Sequence, residues 1–255
     1  MTFDRPLALL ASADGARLAA ACPRIAILLP RLAEALEGGA SERFPLPADL
    51  DPTERALLDD ITGRGEVVAR IRRPDGRRIE AEEAVMAGLW RLRIEDADGT
   101  VLGEALDVGP VPGDLLPAVA PLAPLTLPAA APEGAESGHA LLAEIAHAAA
   151  HWQPGQPNYA LTVAPPVMPD PAVTWLREQL GHGPVELAVR GESGDCHVAA
   201  TACRGVWSVR YRNDAGKIQL DAIEIGAVPE AVCAAAEDRR DSALRLREIT
   251  AAYFA

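Results

Sequence analysis

Two stretches of this chain, one in each half, follow nearly the same pattern, and that repetition constrains the fold more than any other feature. Met86-Ala-Gly-Leu-Trp-Arg-Leu-Arg-Ile94, Asp96-Ala-Asp-Gly99 and Ala105-Leu-Asp-Val-Gly-Pro-Val-Pro112 stand in the first half. Ala202-Cys-Arg-Gly-Val-Trp-Ser-Val-Arg-Tyr211, Asn213-Asp-Ala-Gly216 and Asp221-Ala-Ile-Glu-Ile-Gly-Ala-Val-Pro229 stand in the second. Gly88, Trp90, Arg93, Gly99, Ala105, Gly109 and Pro112 fall on Gly205, Trp207, Arg210, Gly216, Ala222, Gly226 and Pro229 at one offset, 205 − 88 = 117. Upstream, Gly63-Arg-Gly-Glu-Val67 matches Gly181-His-Gly-Pro-Val185 at 181 − 63 = 118. A period of this length is a whole domain, well beyond the ~20–50 residues of a solenoid repeat. An internal duplication is therefore expected, with a first repeat over 1–112, a Pro/Ala-rich linker over 113–138 and a second repeat over 139–255.

Within each repeat the pattern is helical first and extended afterwards. Leu18, Ile25, Leu28, Leu29, Leu32 and Leu36 lie at helical spacing but are interrupted by Pro23 and Pro30, which places a firm helix from Pro30 to Gly38-Gly39. A short strand is expected near Phe44–Leu46, then a helix opening at Asp51-Pro-Thr-Glu54 with Asp51 or Thr53 as its cap. Strands are expected at 67–71, 77–85, 89–94 and 101–108, with Asp75-Gly76 and Asp98-Gly99 as turns. Trp90, Leu92 and Ile94 alternate with Arg91, Arg93 and Glu95, and Trp207, Val209 and Tyr211 alternate with Ser208, Arg210 and Arg212. That phase predicts one buried and one wet face. The second half reads as a helix over 139–152, a strand over 159–163, a helix over 171–180, strands near 185–190, 196–201, 206–212 and 218–225, and a last helix over 238–253. Seven prolines between 110 and 132 favour an extended linker over a helix there. The expected class is α+β: two similar units, each helix–strand–helix followed by an antiparallel meander, with the helices on one sheet face.

Charge and cysteine usage narrow the chemistry. A net charge of −13 repels phosphate backbones, so nucleic acid is not an expected partner, whereas a basic peptide segment is electrostatically easier. Cys22, Cys196, Cys203 and Cys233 form no Cys-x-x-Cys pair, which argues against a zinc ribbon or a thioredoxin-type motif and fits a reducing cytoplasm. The apolar run in Met1–Ala13 is short and has Asp4 beside its only basic residue, unlike a secretory leader. No proline-free apolar run reaches the ~18–20 residues needed to cross a bilayer.

Candidate chemistry is sparse. Glu144, His147 and His151 share a helix face, but a carboxylate-bridged metal site needs a second Glu-x-x-His that the chain lacks. Cys196 and His197 are consecutive in a strand and so point to opposite faces, which makes a metal or nucleophilic role with Cys203 unfavourable. There is no Gly-x-Ser-x-Gly elbow, phosphate loop or dinucleotide fingerprint, and nothing asks for a cofactor or a resident metal. Gly63/Gly65 and Gly181/Gly183 follow helices and read as stops. Trp90 and Trp207 lie on the apolar phase of their strands, where core packing competes with a role as interface anchor. Asp107 and Glu224 occupy matching positions beside the glycine–proline turn and are expected as exposed carboxylates, suited to a basic peptide.

Leu142-Ala-Glu-Ile-Ala-His-Ala148, Gly181-His-Gly-Pro-Val185, Gly205-Val-Trp-Ser-Val-Arg-Tyr211 and Ile223-Glu-Ile-Gly-Ala-Val-Pro-Glu230 together resemble the HupH/HyaF family of hydrogenase expression/formation proteins. The likeness spans most of 139–230, and the first half looks like a diverged copy of the same module. Where that family reads Gly-x-Gly-Glu-Val, this chain has Pro184 and keeps Glu66 only in the first copy. The resemblance implies a cytoplasmic accessory or chaperone protein for [NiFe] uptake hydrogenases, with no reaction of its own. Its implied partners are the iron–sulfur small-subunit precursor and other hydrogenase accessory proteins. Trp207, Tyr211, Glu224 and Glu230 would border the partner surface, with Gly88, Trp90, Gly99, Gly205, Gly216, Gly226 and Pro229 holding the fold. The competing expectation is a metal- or redox-carrying maturation factor using Cys196, Cys203, His147 and His151.

Overall fold

The structure, a computed structural model, describes residues 15–39, 41–163, 168–191 and 194–254. The leader-like start at Met1–Ala13 lies outside the described residues. In chain order the elements begin with α1 (Gly15–Ala21), α2 (Pro23–Gly38), β1 (Glu42–Leu46) and α3 (Pro52–Thr62). Four strands follow, β2 (Val67–Arg72), β3 (Arg78–Glu83), β4 (Leu89–Glu95) and β5 (Val101–Val108), then the short α4 (Leu115–Val119). A second run holds α5 (Glu136–His151), β6 (Tyr159–Thr162), α6 (Asp170–Leu180) and β7 (Val185–Gly191). It ends with β8 (Gly194–Ala200), β9 (Val206–Arg212), β10 (Ile218–Ile225) and α7 (Ala236–Tyr253). The class is α+β with antiparallel strand pairing.

The chain divides into two compact units, one holding Met1–Glu66, Ala81–Gly113 and Ala234–Ala255, the other Val67–Glu80 and Asp114–Cys233. In the first, β1 pairs with β5 and β5 with β4. Pro45 is tolerated in β1 because that strand is an edge and one side of it needs no ladder donor. Asp51 caps α3 by accepting from the Thr53 N–H at 2.8 Å. The core joins Ile25, Leu29, Leu32 and Leu36 of α2 to Leu57, Leu58 and Ile61 of α3, Leu89 of β4, Leu106 and Val108 of β5, and Ala243, Leu246 and Ile249 of α7.

This packing corrects two expectations. Helix α2 starts at Pro23 and runs through Pro30 to Gly38, where Gly39 at φ 72° ends it. An interior proline costs a helix about 3 kcal/mol, but Ile25, Leu29, Leu32 and Leu36 are all buried, and burial of each such side chain contributes ~1.5–3 kcal/mol. Helix α7, foreseen as the tail of the second half, packs on α2 inside the first unit. Its apolar stripe requires a hydrophobic partner but does not name one.

In the second unit the strands pair in the order β2-β7-β8-β9-β10-β6. Leu142 and Ile145 of α5 and Ala172, Leu176 and Leu180 of α6 cover Val206, Ile223 and Ile225 on one sheet face. The segment expected as an extended linker contributes α4: Pro117 sits in its first turn, where a missing N–H removes no helical bond. Farther along, Leu125 packs on the helix-side core.

The wet face foreseen for the meanders is only partly wet: Arg93 and Arg212 are exposed, but helices cover the start of that face. Leu89 and Trp90 are both buried, as are Val206 and Trp207, and consecutive strand residues point to opposite faces. Arg91, Ser208 and Arg210 are half-buried. The hairpins close identically, with the Gly109 N–H donating to Gly88 O at 2.9 Å and the Gly226 N–H to Gly205 O at 2.8 Å. Gly88 and Gly205 need glycine's freedom here, at φ 80° and 67°.

Gly63 and Gly181 do terminate helices, each N–H reaching back 2.9 Å, to Asp59 O and Arg177 O. Gly65 and Gly183 serve close approach instead: a Cβ would lie 2.6 Å from Ala84 O in the first and 2.3 Å from Thr201 O in the second. Gly65→Ala and Gly183→Ala are therefore expected to destabilise by about 1–3 kcal/mol each. Gly103→Ala, with nothing within 4 Å of the new atom, should leave the urea midpoint unchanged.

Candidate functional site

The residues foreseen as a partner surface come from β9, β10 and the turn after them. Residues directly opposite in an antiparallel pair share a face. Glu224 lies opposite Trp207, and Tyr211 opposite Cys196, so these four project from the face away from α5 and α6. Trp207 is 3% exposed and packs as core, so its indole is not on the surface. Tyr211 is 37% exposed, Glu224 half-buried and Glu230 exposed. Pro229, which is buried, leads into a 3-10 turn over Glu230–Val232. Strand β6 forms the adjacent edge of the unit, with Tyr159 donating to Glu144 Oε1 at 2.6 Å. Gly226, at φ 140°, lets Asn158 and Trp152 approach: a Cβ would lie 2.3 Å from Asn158 Oδ1. Asn158 Nδ2 in turn donates to Ala227 O at 3.0 Å and to Glu224 Oε2 at 3.3 Å.

Asp107 departs from the expectation of an exposed carboxylate. It is 2% exposed, takes a bidentate pair from Arg43 Nε at 2.6 Å and Nη2 at 2.7 Å, and accepts the Gly113 N–H at 2.9 Å. Arg43 is its cross-strand neighbour in β1, whereas the residue opposite Glu224 in β6 is Ala160. A guanidinium in the right register makes burial of the first carboxylate possible, and Glu224 has none opposite it. Asp107→Asn should therefore cost on the order of 2–3 kcal/mol, and Glu224→Gln less than about 1 kcal/mol. Chemical denaturation of both variants checks this contrast.

The tryptophans differ in a related way. Trp90 Nε1 donates to Gly109 O at 3.0 Å, while buried Trp207 Nε1 has no acceptor among the described residues.

The alternative metal or redox residues are dispersed. Cys196 faces Tyr211, His197 lies opposite Arg210 on the other face, and Cys203 packs in the helix-side core with its Sγ 3.9 Å from Leu180 O. Glu144 is engaged by Tyr159, while His147 and His151 place their ring centroids 4.2 Å apart. Among the described residues no group of three His, Cys, Asp or Glu is arranged to hold a metal ion. Burial raises the thiol pKa values of Cys196 and Cys203. Burial pushes Cys233 up to about 11, and burial followed by contact with Cys196 pushes Tyr211 up to about 12.

Since the thiolate is the nucleophile, thiols held protonated react slowly. Ellman's reagent at pH 8 should label the native chain far more slowly than the urea-unfolded chain. These acids ionise more readily when unfolded, so their contribution to stability is present below the ordinary value of 9.0 and is lost as pH rises through about 11 at Cys233. Urea midpoints measured between those limits should fall.

Residue patterns also passed over a charge cluster. Asp221, 4% exposed, is shared by Arg177 of α6 and Arg210 of β9. Only the strand register and the seating of α6 bring these three together.

Comparison with known proteins identifies the relatives. Residues 136–253, from α5 to the end of α7, match the family described as HupH hydrogenase expression protein, C-terminal conserved region. Over 254 residues the chain is 36% identical to the hydrogenase expression/formation protein HupH of Rhizobium leguminosarum bv. viciae, covering 98% of this chain and 89% of that one. It is 36% identical over 232 residues to HupQ of Azotobacter chroococcum mcd 1, covering 87% and 79%. The hydrogenase-1 operon protein HyaF of Escherichia coli K12 is 32% identical over 247 residues, covering 89% and 80%. Similarity of this extent runs through both compact units, and the chain belongs to the HupH/HyaF family of hydrogenase expression/formation proteins.

Proposed function

We propose that this protein is an accessory factor in maturation of a [NiFe] uptake hydrogenase, acting in the cytoplasm by binding protein rather than by catalysing a reaction. Its partner in this proposal is the precursor of the iron–sulfur small subunit, held during assembly alongside other accessory proteins. The observation that carries the proposal is 36% identity to a hydrogenase expression/formation protein over 98% of the chain. The chemistry is compatible: the chain carries a net charge of −13, and Glu224 is half-buried with no guanidinium opposite it in β6. A basic export leader would complement that charge through charge-assisted hydrogen bonds.

The two halves are read here as copies of one module with boundaries at 1–112 and 139–255. In support, β4 and β9 start 206 − 89 = 117 residues apart, and β1 and β6 start 159 − 42 = 117 apart. Those boundaries follow descent, whereas the compact units follow packing, which is why α7 belongs to the second half by sequence and to the first by contact.

Co-purification with a small-subunit precursor tests the partner. Capture is expected at roughly 50 mM salt, weaker at roughly 500 mM, and reduced when the leader is removed. Glu224→Lys should weaken capture about tenfold, equivalent to about 1.4 kcal/mol, while leaving the melting curve in place. Capture indifferent to both salt and leader would refute the electrostatic docking, and absence of any capture would refute the precursor as partner.

A further inference from the structure

We propose that a cavity in the second unit, bounded by α6, β8 and β9, binds a single anionic oxygen group, a carboxylate or a tetrahedral oxyanion, with Arg177 and Arg210 as its principal ligands. This is independent of the proposal for Glu224, which concerns a cation on the opposite sheet face.

The cavity measures about 150 Å³ and is walled by Arg177, His182, His197, Thr201, Ser208 and Arg210, with no aspartate or glutamate among its lining residues. In a chain with 37 acidic and 24 basic residues, that lining is the reverse of the average surface. Register explains the convergence. His197 lies opposite Arg210, and Arg210 opposite Asp221, so one face of three adjacent strands carries all of them. Arg177, in the last turn of α6, reaches the same carboxylate from the helix.

The charges do not balance. Arg177 Nη2 donates to Asp221 Oδ2, while Arg210 Nε stands 3.5 Å from Asp221 Oδ1, an ion pair without a hydrogen bond. Asp221 neutralises one guanidinium and leaves the equivalent of one positive charge. Among the described residues, Arg177 Nε, Arg210 Nε and Asp221 Oδ1 are buried without a hydrogen-bond partner. At the first-unit position matching Arg210 (210 − 117 = 93), Arg93 pairs with Glu95, and at the position matching Asp221 (221 − 117 = 104), Glu104 pairs with Arg55. Among the described residues, two guanidiniums sharing one carboxylate are not repeated at those two positions.

Size and charge select the occupant. At about 150 Å³ the cavity has room for several waters or one compact oxygen-bearing group. Guanidinium forks match carboxylate and phosphate oxygens geometrically. An extended polyanion is disfavoured by the net charge of −13, whereas one small anion or a single acidic side chain is not.

The test uses the full chain at constant ionic strength, exchanging sodium chloride for sodium phosphate in one arm and for N-acetylaspartate in the other, read by thermal unfolding and calorimetry. A saturable rise in Tm with at least one anion is expected, with affinity reduced at least about tenfold in Arg210→Gln. Ala199→Leu narrows the same cavity without altering a charge and should also weaken binding, which keeps the test valid if Arg210→Gln misfolds. Response to phosphate alone assigns a tetrahedral oxyanion, and response to N-acetylaspartate alone assigns a side-chain carboxylate. No saturable effect of either anion, or an effect unchanged in the folded variants, overturns the proposal.

Discussion

Two strands, β4 and β9, each bury a pair of consecutive residues, Leu89 with Trp90 and Val206 with Trp207. Side chains on a strand alternate between faces, so both faces must be covered at those points. The helices answer for one face: α2, α3 and α7 over Leu89, and α5 and α6 over Val206. A strand enclosed on both sides has no water to satisfy its backbone. That constraint explains the turn geometry, in which Gly88 and Gly205 accept the N–H groups of Gly109 and Gly226, and the close approaches at Gly65 and Gly183.

Enclosure makes every charge near the sheet expensive unless it is paired. The first unit solves this locally, with Arg43 on buried Asp107 and Arg55 on Glu104. The second unit pairs less completely. Its sheet carries Glu224, without a guanidinium opposite, on one face and the Arg177–Asp221–Arg210 cluster, with one guanidinium in excess, on the other. Charges that a fold leaves uncompensated in partly buried positions are places where a ligand or partner can supply the missing half. The matched region of the HupH family begins at α5 and includes both faces.

Membership of the HupH/HyaF family and the unequal charge pairing bear on different questions. The first concerns the process the protein serves. The second concerns which of its surfaces carry unmet electrostatic demand, and it separates the edge proposed near Glu224 for a basic partner from the cavity proposed beside Arg210 for an anion. Tyr211, at 37% exposure beside Cys196, is the accessible aromatic next to the former, while Trp207 holds the strand from beneath.

Local chemistry made much of this chain legible. Alternating side chains around the Asp98-Gly99 and Asn213-Asp-Ala-Gly216 turns located β4, β5, β9 and β10 to within a residue or two, Asp51 capped α3 as its type and place require, and the residues around Trp207 and Glu224 led to the correct family. What sequence could not decide depended on partners distant along the chain. Helix α2 continues through Pro30 because four buried side chains outweigh one missing N–H. Helix α7 leaves its own half because an apolar stripe specifies burial, not address. Asp107 is buried and Glu224 is not because Arg43 in β1 and Ala160 in β6 occupy the opposing registers. Periodicity and turn chemistry are short-range and are written in consecutive residues. Charge compensation and helix docking are set by distances across the sheet, and those exist only once the chain has folded.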